Sequence, residues 1–184
     1  MIGLFIGSFN PPTKAHLEIV LKLKDFFDKI IYIPVNSKEK YLASFNDRVN
    51  MLKIYTRKYN FLDINTIMDK YSYFDYRILD ILKKEYQNIS IIMGSDLLNK
   101  LDKFTNYKYL LSNYKFIIIT RENDNINEII NNKYQDYKNN FQVFEYHSDI
   151  SSSKIRELIK NKKDYKDYLD KDIIDYIKNN NLYF

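Results

Sequence analysis

Short apolar runs alternate along the chain with longer amphipathic stretches. Ile2–Ile6 is a continuous apolar run of the kind a buried strand shows, and Ile30–Ile33 is a second that stops at Pro34. Ile89–Met93 and Phe116–Thr120 repeat the pattern, Leu62–Asn65 is a weaker strand candidate, and Phe141–Tyr146 would be the last strand. Between these runs the period changes. From residue 17 to 27, Leu17, Val20, Leu21, Leu23 and Phe27 fall at helical spacing with Lys24 outward. A helix over 48–55 puts Val49, Leu52 and Tyr55 on one side, and one over 74–86 turns Ile78, Ile81 and Leu82 inward. Two further helices are predicted over 154–160 and 171–179, while the Asn- and Lys-rich stretch 122–140 carries the weakest pattern.

Strands without polar alternation, each followed by a helix, predict an α/β fold: a doubly wound, mainly parallel sheet in three α/β/α layers. No Pro/Gly/Ser-rich linker or repeat interrupts the chain, so one domain is expected over 1–184, with the helical part from about 150 to 184 packed on it. Of the three glycines, Gly7 and Gly94 fall at the carboxyl ends of predicted strands, where open α/β sheets bind their ligands.

The segment Gly7-Ser8-Phe9-Asn10-Pro11-Pro12-Thr13-Lys14-Ala15-His16 runs from such a strand end into a helix. Gly7 permits a sharp turn and close approach of a ligand. Pro11 and Pro12 stiffen the turn, and Thr13 caps the helix. His16 then sits in the first turn, where free N–H groups and the dipole favour anions, and would point a donor at a phosphate. A second helix opening, Ile150-Ser151-Ser152-Ser153-Lys154-Ile155-Arg156, offers the same chemistry. Its hydroxyls cap, and Arg156 presents a fork of donors to β- and γ-phosphates.

Charge agrees with an anionic ligand: the chain carries a net charge of +5. Much of that charge lies in mixed runs such as 160–171, which read as a solvated helix face. There is no cysteine, which excludes disulfides and thiol chemistry. No apolar stretch approaches the ~20 residues needed to cross a bilayer, and the apolar start lacks the basic region of a secretory signal, so a cytoplasmic protein is expected.

Together the two openings resemble the signature of the nucleotidyltransferase superfamily of α/β phosphodiesterase type. Its members include nicotinate-mononucleotide, pantetheine-phosphate and glycerol-phosphate nucleotidyltransferases, and the resemblance implies their Rossmann-like fold. Further segments are similar to the nicotinate-mononucleotide adenylyltransferase family over residues 2–183. Asp47-Arg48-Val49-Asn50-Met51-Leu52 resembles one of its helices, and Ile91 to Asp96 resembles its strand ending in Gly-[Ala/Ser]-Asp. The resemblance implies that Gly7, Ser8, Phe9, Gly94, Ile150, Ser152 and Ser153 line the ATP site, with Asp96 on the ribose hydroxyls and Arg121 bordering the nucleotide. It implies that Asn10, Arg48, Phe104 and the segment Tyr73-Phe74-Asp75 meet the acceptor, and it offers Lys38 or Lys40 as a further phosphate contact. Thr13, Ala15 and Tyr73 depart from the family pattern.

The implied reaction transfers AMP from ATP to nicotinate mononucleotide, or to nicotinamide mononucleotide. His16, Thr13 and Arg156 are its catalytic residues, Mg²⁺ is carried by ATP rather than by a dedicated site, and the small-molecule substrates are the partners. A homo-oligomer fits the family; a nucleic acid or membrane partner is not expected. Two alternatives stand beside this reading. One is pantetheine-phosphate adenylyltransfer, which Thr13 and the three serines suit, or another small-molecule nucleotidyl transfer on the same fold. The other is a non-catalytic nucleotide- or RNA-binding module, which the basic charge permits.

Overall fold

A computed structural model describes residues 1–36, 43–120 and 125–184. Six strands form one sheet: β1 (Ile2–Gly7), β2 (Lys29–Pro34), β3 (Leu62–Ile64), β4 (Ile89–Gly94), β5 (Lys115–Ile119) and β6 (Phe141–Phe144). Their order is β3-β2-β1-β4-β5-β6 and every pairing is parallel. The helices are α1 (Lys14–Leu23), α2 (Phe45–Thr56), α3 (Tyr76–Tyr86), α4 (Ser95–Leu98), α5 (Tyr107–Asn113), α6 (Ile126–Lys133), α7 (Ser152–Lys160) and α8 (Lys171–Asn179).

Alternate side chains of each strand feed two separate cores. Phe5, Tyr32, Ile92 and Ile117 face α1, α2, α7 and α8 through residues such as Val20, Leu52, Ile155 and Ile173. Leu4, Ile31, Ile91 and Phe116 face α3 to α6 through Leu79, Leu98, Leu111 and Ile130. Burial on both faces explains why the strand runs show no polar alternation. Each such aliphatic side chain contributes about 1.5–3 kcal/mol by leaving water. The three predicted layers are thereby present. Among the described residues no helix is long and apolar enough to cross a membrane.

Local chemistry sets the boundaries. The helix predicted from 48 starts at Phe45, because Ser44 and Asp47 form a capping box that adds a turn. In α3, Leu79 takes the inward place expected of Ile81, which is 40% exposed. At about 100° per residue, positions 78, 79 and 82 cluster around one direction and 81 falls to its side. The helix expected to reach Phe27 stops at Leu23 and continues as a 3₁₀ turn over Lys24–Phe26. The weakly patterned stretch 122–140 holds α6 and a 3₁₀ turn over Gln135–Asn140.

The order of the strands fixes where a ligand belongs. From β1 the chain winds outward through β2 to β3, then returns to lay β4 on the other side of β1. The crevice beyond the carboxyl ends of β1 and β4 is therefore the switch point of the sheet.

Candidate active site

Thr13 ends the loop after β1 and caps α1. Its hydroxyl accepts from the His16 amide at 3.4 Å, while its own N–H donates to Nδ1 of His16 at 3.0 Å. This closes a capping box with histidine where glutamate is usual. An amide N–H can only donate, so Nδ1 of the neutral ring is an acceptor and its proton sits on Nε2. Thr13 Oγ1 lies 2.8 Å from the same Nδ1. The imidazole is thus held at the start of a helix whose first turn has no acidic residue to offset the dipole.

The start of α7 is built in the same way. Ser151 caps it by accepting from the Lys154 amide at 3.1 Å, and again no acidic residue occupies the first turn. Two contacts tie this opening to the loop after β1. Ser152 Oγ donates to the Pro11 carbonyl at 2.8 Å, and Arg156 Nη1 donates to the Asn10 carbonyl at 2.7 Å. Arg156 also donates to Ser153 Oγ at 3.2 Å through Nη2.

Both openings face one hollow of about 650 Å³ at the switch point. Gly7, Ser8, Phe9, Thr13 and His16 line it from the first loop, Gly94 and Asp96 from the end of β4. Ile150, Ser152, Ser153 and Arg156 line it from the second opening. The expected sharp turn at Gly7 is made two residues later: Phe9 has φ 49°, whereas no described glycine has positive φ. Gly7 is needed for space instead, since a Cβ there would lie 3.0 Å from the Phe9 ring. At Gly94 a Cβ would meet Asp96 Oδ1 at 2.6 Å, so a larger residue there would displace that carboxylate. Ala15 is buried in the α1 core and also borders the hollow.

The residues expected to meet the acceptor lie off this wall. Asn10 is wholly buried behind the loop, where its Oδ1 accepts from the Ala43 N–H at 3.3 Å. Arg48 is 3% exposed, and its Nη1 donates to the carbonyls of Ser8 and Val35, each at 2.7 Å. It therefore braces the loops that follow β1 and β2, and burial pulls its guanidinium below the ordinary arginine value. Asp75 caps α3 and pairs with Arg77, Phe74 and Phe104 pack on the α3–α6 core, and Tyr73 is 68% exposed. Arg121, Lys38 and Lys40 lie outside the described residues.

Other wall residues had no motif to announce them. Asn36 lines the hollow and donates to the carbonyls of Met68 and Tyr71 at 2.9 and 2.8 Å. Tyr146 also lines it, and its hydroxyl donates to Glu18 at 2.6 Å. In a chain with 18 tyrosines no sequence signal singles this one out. Asn36 was more accessible, since it follows the carboxyl end of a strand directly beside β1.

The comparisons with known proteins agree with this geometry. The cytidylyltransferase-like family model matches residues 4–158. A probable nicotinate-nucleotide adenylyltransferase of Acholeplasma laidlawii is 32% identical over 100% of this chain and 97% of the relative. One of Fusobacterium nucleatum is 33% identical over 94% of each. The chain belongs to the cytidylyltransferase-like family, among its nicotinate-nucleotide adenylyltransferases. It is accordingly a nucleotidyltransferase. The fold is shared with Plasmodium falciparum nicotinic acid mononucleotide adenylyltransferase complexed with NaAD, at a TM-score of 0.79 and 23% identity over 99% of this chain and 96% of that one.

Proposed function

We propose that this chain transfers the adenylyl group of ATP to nicotinate mononucleotide, releasing pyrophosphate, in the synthesis of NAD. The observation that carries the reading is the meeting of two helix openings, with His16 on one and Arg156 on the other, at one hollow. A triphosphate needs donors on both sides along its length, and each opening offers amides, hydroxyls and one strong side-chain donor. The names of the relatives and the NaAD bound in the Plasmodium structure support the pyridine acceptor.

An oxygen of the acceptor phosphate attacks the α-phosphorus of ATP in line. The new P–O bond forms as the bond between the α-phosphorus and its bridging oxygen breaks, and that oxygen leaves with pyrophosphate. No protein nucleophile is required, because the attacking phosphate is already an anion at neutral pH. The protein contributes position and charge. His16 Nε2–H donates to the α/β-phosphates, while Arg156, Ser152 and Ser153 hold the leaving pyrophosphate. Asp96, the one carboxylate lining the hollow among the described residues, suits the ribose hydroxyls and also a hydrated ion. Such residues fit Mg²⁺ carried on the nucleotide, which would neutralise phosphate charge; among the described residues no group of three or more His, Cys, Asp or Glu could cage it.

The test offers ATP with nicotinate mononucleotide, nicotinamide mononucleotide and phosphopantetheine in turn and follows pyrophosphate release. Release with nicotinate mononucleotide above the other two is the expected result. Equal or greater release with phosphopantetheine, or none with any acceptor, would overturn the assignment.

A further inference from the structure

Half-buried Leu182 and Tyr183, past the end of α8, pack beside the loop that leads into α1. Past α8, Asn181 and Tyr183 take left-handed backbone conformations, with φ 51° and 68°; asparagine adopts this region readily, whereas for the bulky tyrosine it is strained. The turn brings the Tyr183 hydroxyl onto Oδ1 of Asn10, to which it donates a hydrogen bond. Asn10 is wholly buried, and its Nδ2 has no hydrogen-bond partner among the described residues. Its carboxamide is thus held through Oδ1, by the Ala43 N–H and by Tyr183. The main-chain carbonyl of the same residue is where Arg156 Nη1 docks at 2.7 Å. Arg156 and Arg48 both bear electrostatically on the Tyr183 hydroxyl, which burial nonetheless keeps protonated and able to donate.

We propose that Tyr183 is a positioning residue for nucleotide binding: its hydroxyl fixes Asn10, and Asn10 in turn fixes the carbonyl that aims Arg156 into the hollow. The Tyr183 hydroxyl then supports the phosphate grip without touching the nucleotide. Two carbonyls of the loop, at Asn10 and Pro11, take Arg156 and Ser152. A shift of Asn10 would therefore misalign the second helix opening against the first. The acceptor should feel little of this.

The inference rests on the adenylyltransferase reading, and the experiment separates the two. Tyr183→Phe removes one oxygen and keeps the ring. Loss of one positioning hydrogen bond predicts an ATP KM raised about three- to tenfold, with an equal fall in affinity for a non-hydrolysable ATP analogue. The acceptor KM should stay within about twofold. Leu182→Ala, which removes packing from the same tail but keeps the hydroxyl, should lower the thermal midpoint at least as much while leaving the ATP KM near wild type. An unchanged ATP KM in Tyr183→Phe, or a rise matched by Leu182→Ala or by the acceptor KM, overturns the proposal. A wild-type chain that releases no pyrophosphate with any acceptor overturns the underlying reading instead.

Discussion

Ser152 Oγ donates to the carbonyl of Pro11 at 2.8 Å, joining residues 141 positions apart. The bond stitches the opening of α7 to the loop that precedes α1. Its loss in Ser152→Ala should cost about 0.5–1.5 kcal/mol of stability, the usual net value of one hydrogen bond. The ATP KM should rise several-fold, because the same hydroxyl borders the hollow. Urea denaturation beside steady-state kinetics checks both. A loss of stability with unchanged ATP KM would make the contact purely structural.

His16 works in two capacities, and substitution can separate them. His16→Ala removes a preorganised donor and should lower kcat by about 10²–10³-fold. Thr13→Ala removes the helix cap, at about 0.5–2 kcal/mol of stability, yet leaves the backbone N–H that sets the tautomer of His16. Its kcat should therefore fall much less. Equal losses of kcat in the two variants would show that the threonine hydroxyl, not the amide, holds the ring in its working state.

Most of the sheet and both helix openings were legible because each follows from a local rule. Continuous apolar strands show a parallel sheet, and a hydroxyl before a helix shows a cap. What stayed hidden depends on which surfaces the fold brings together. Nothing around Tyr146 sets it apart until β5 and β6 bring it to the rim, whereas Asn36 had only its place just past the end of β2 to mark it. Arg48 shows the converse. Its motif suggested a ligand contact, but the carbonyls it satisfies belong to residues 40 and 13 positions away, which no helical period reveals.

Arg48 should accordingly behave as a brace. Its one Nη1 supplies two part-buried carbonyls, and hydrogen bonds from a charged donor contribute about 1.5–3 kcal/mol each. Arg48→Ala should destabilise the fold by about 3 kcal/mol or more, with a lowered urea midpoint, while the folded fraction keeps its acceptor KM within a few-fold. Arg48→Lys should recover only part of the stability, since a single ammonium lacks the planar fork. Full stability with a lost acceptor affinity would return Arg48 to the substrate site.

Tyr146 provides a test of the hollow's far wall through pH. Burial, and then the Glu18 carboxylate that accepts its proton, push the Tyr146 hydroxyl up to about 12 from an ordinary value of 10.0. The folded state thus holds this proton where the unfolded chain has released it, and stability falls as pH rises through that interval. The contribution is complete below pH 10 and is lost as pH climbs through about 12. Tyr86 is raised to about 12 as well, chiefly by burial, so both tyrosines share the window. Urea denaturation between pH 8 and 12 should show a steep alkaline decline in the wild type and a shallower one in Tyr146→Phe. Lysine deprotonation acts on both proteins alike, so the difference between the curves isolates the tyrosine. Parallel curves would mean that the Tyr146–Glu18 contact does not persist in solution.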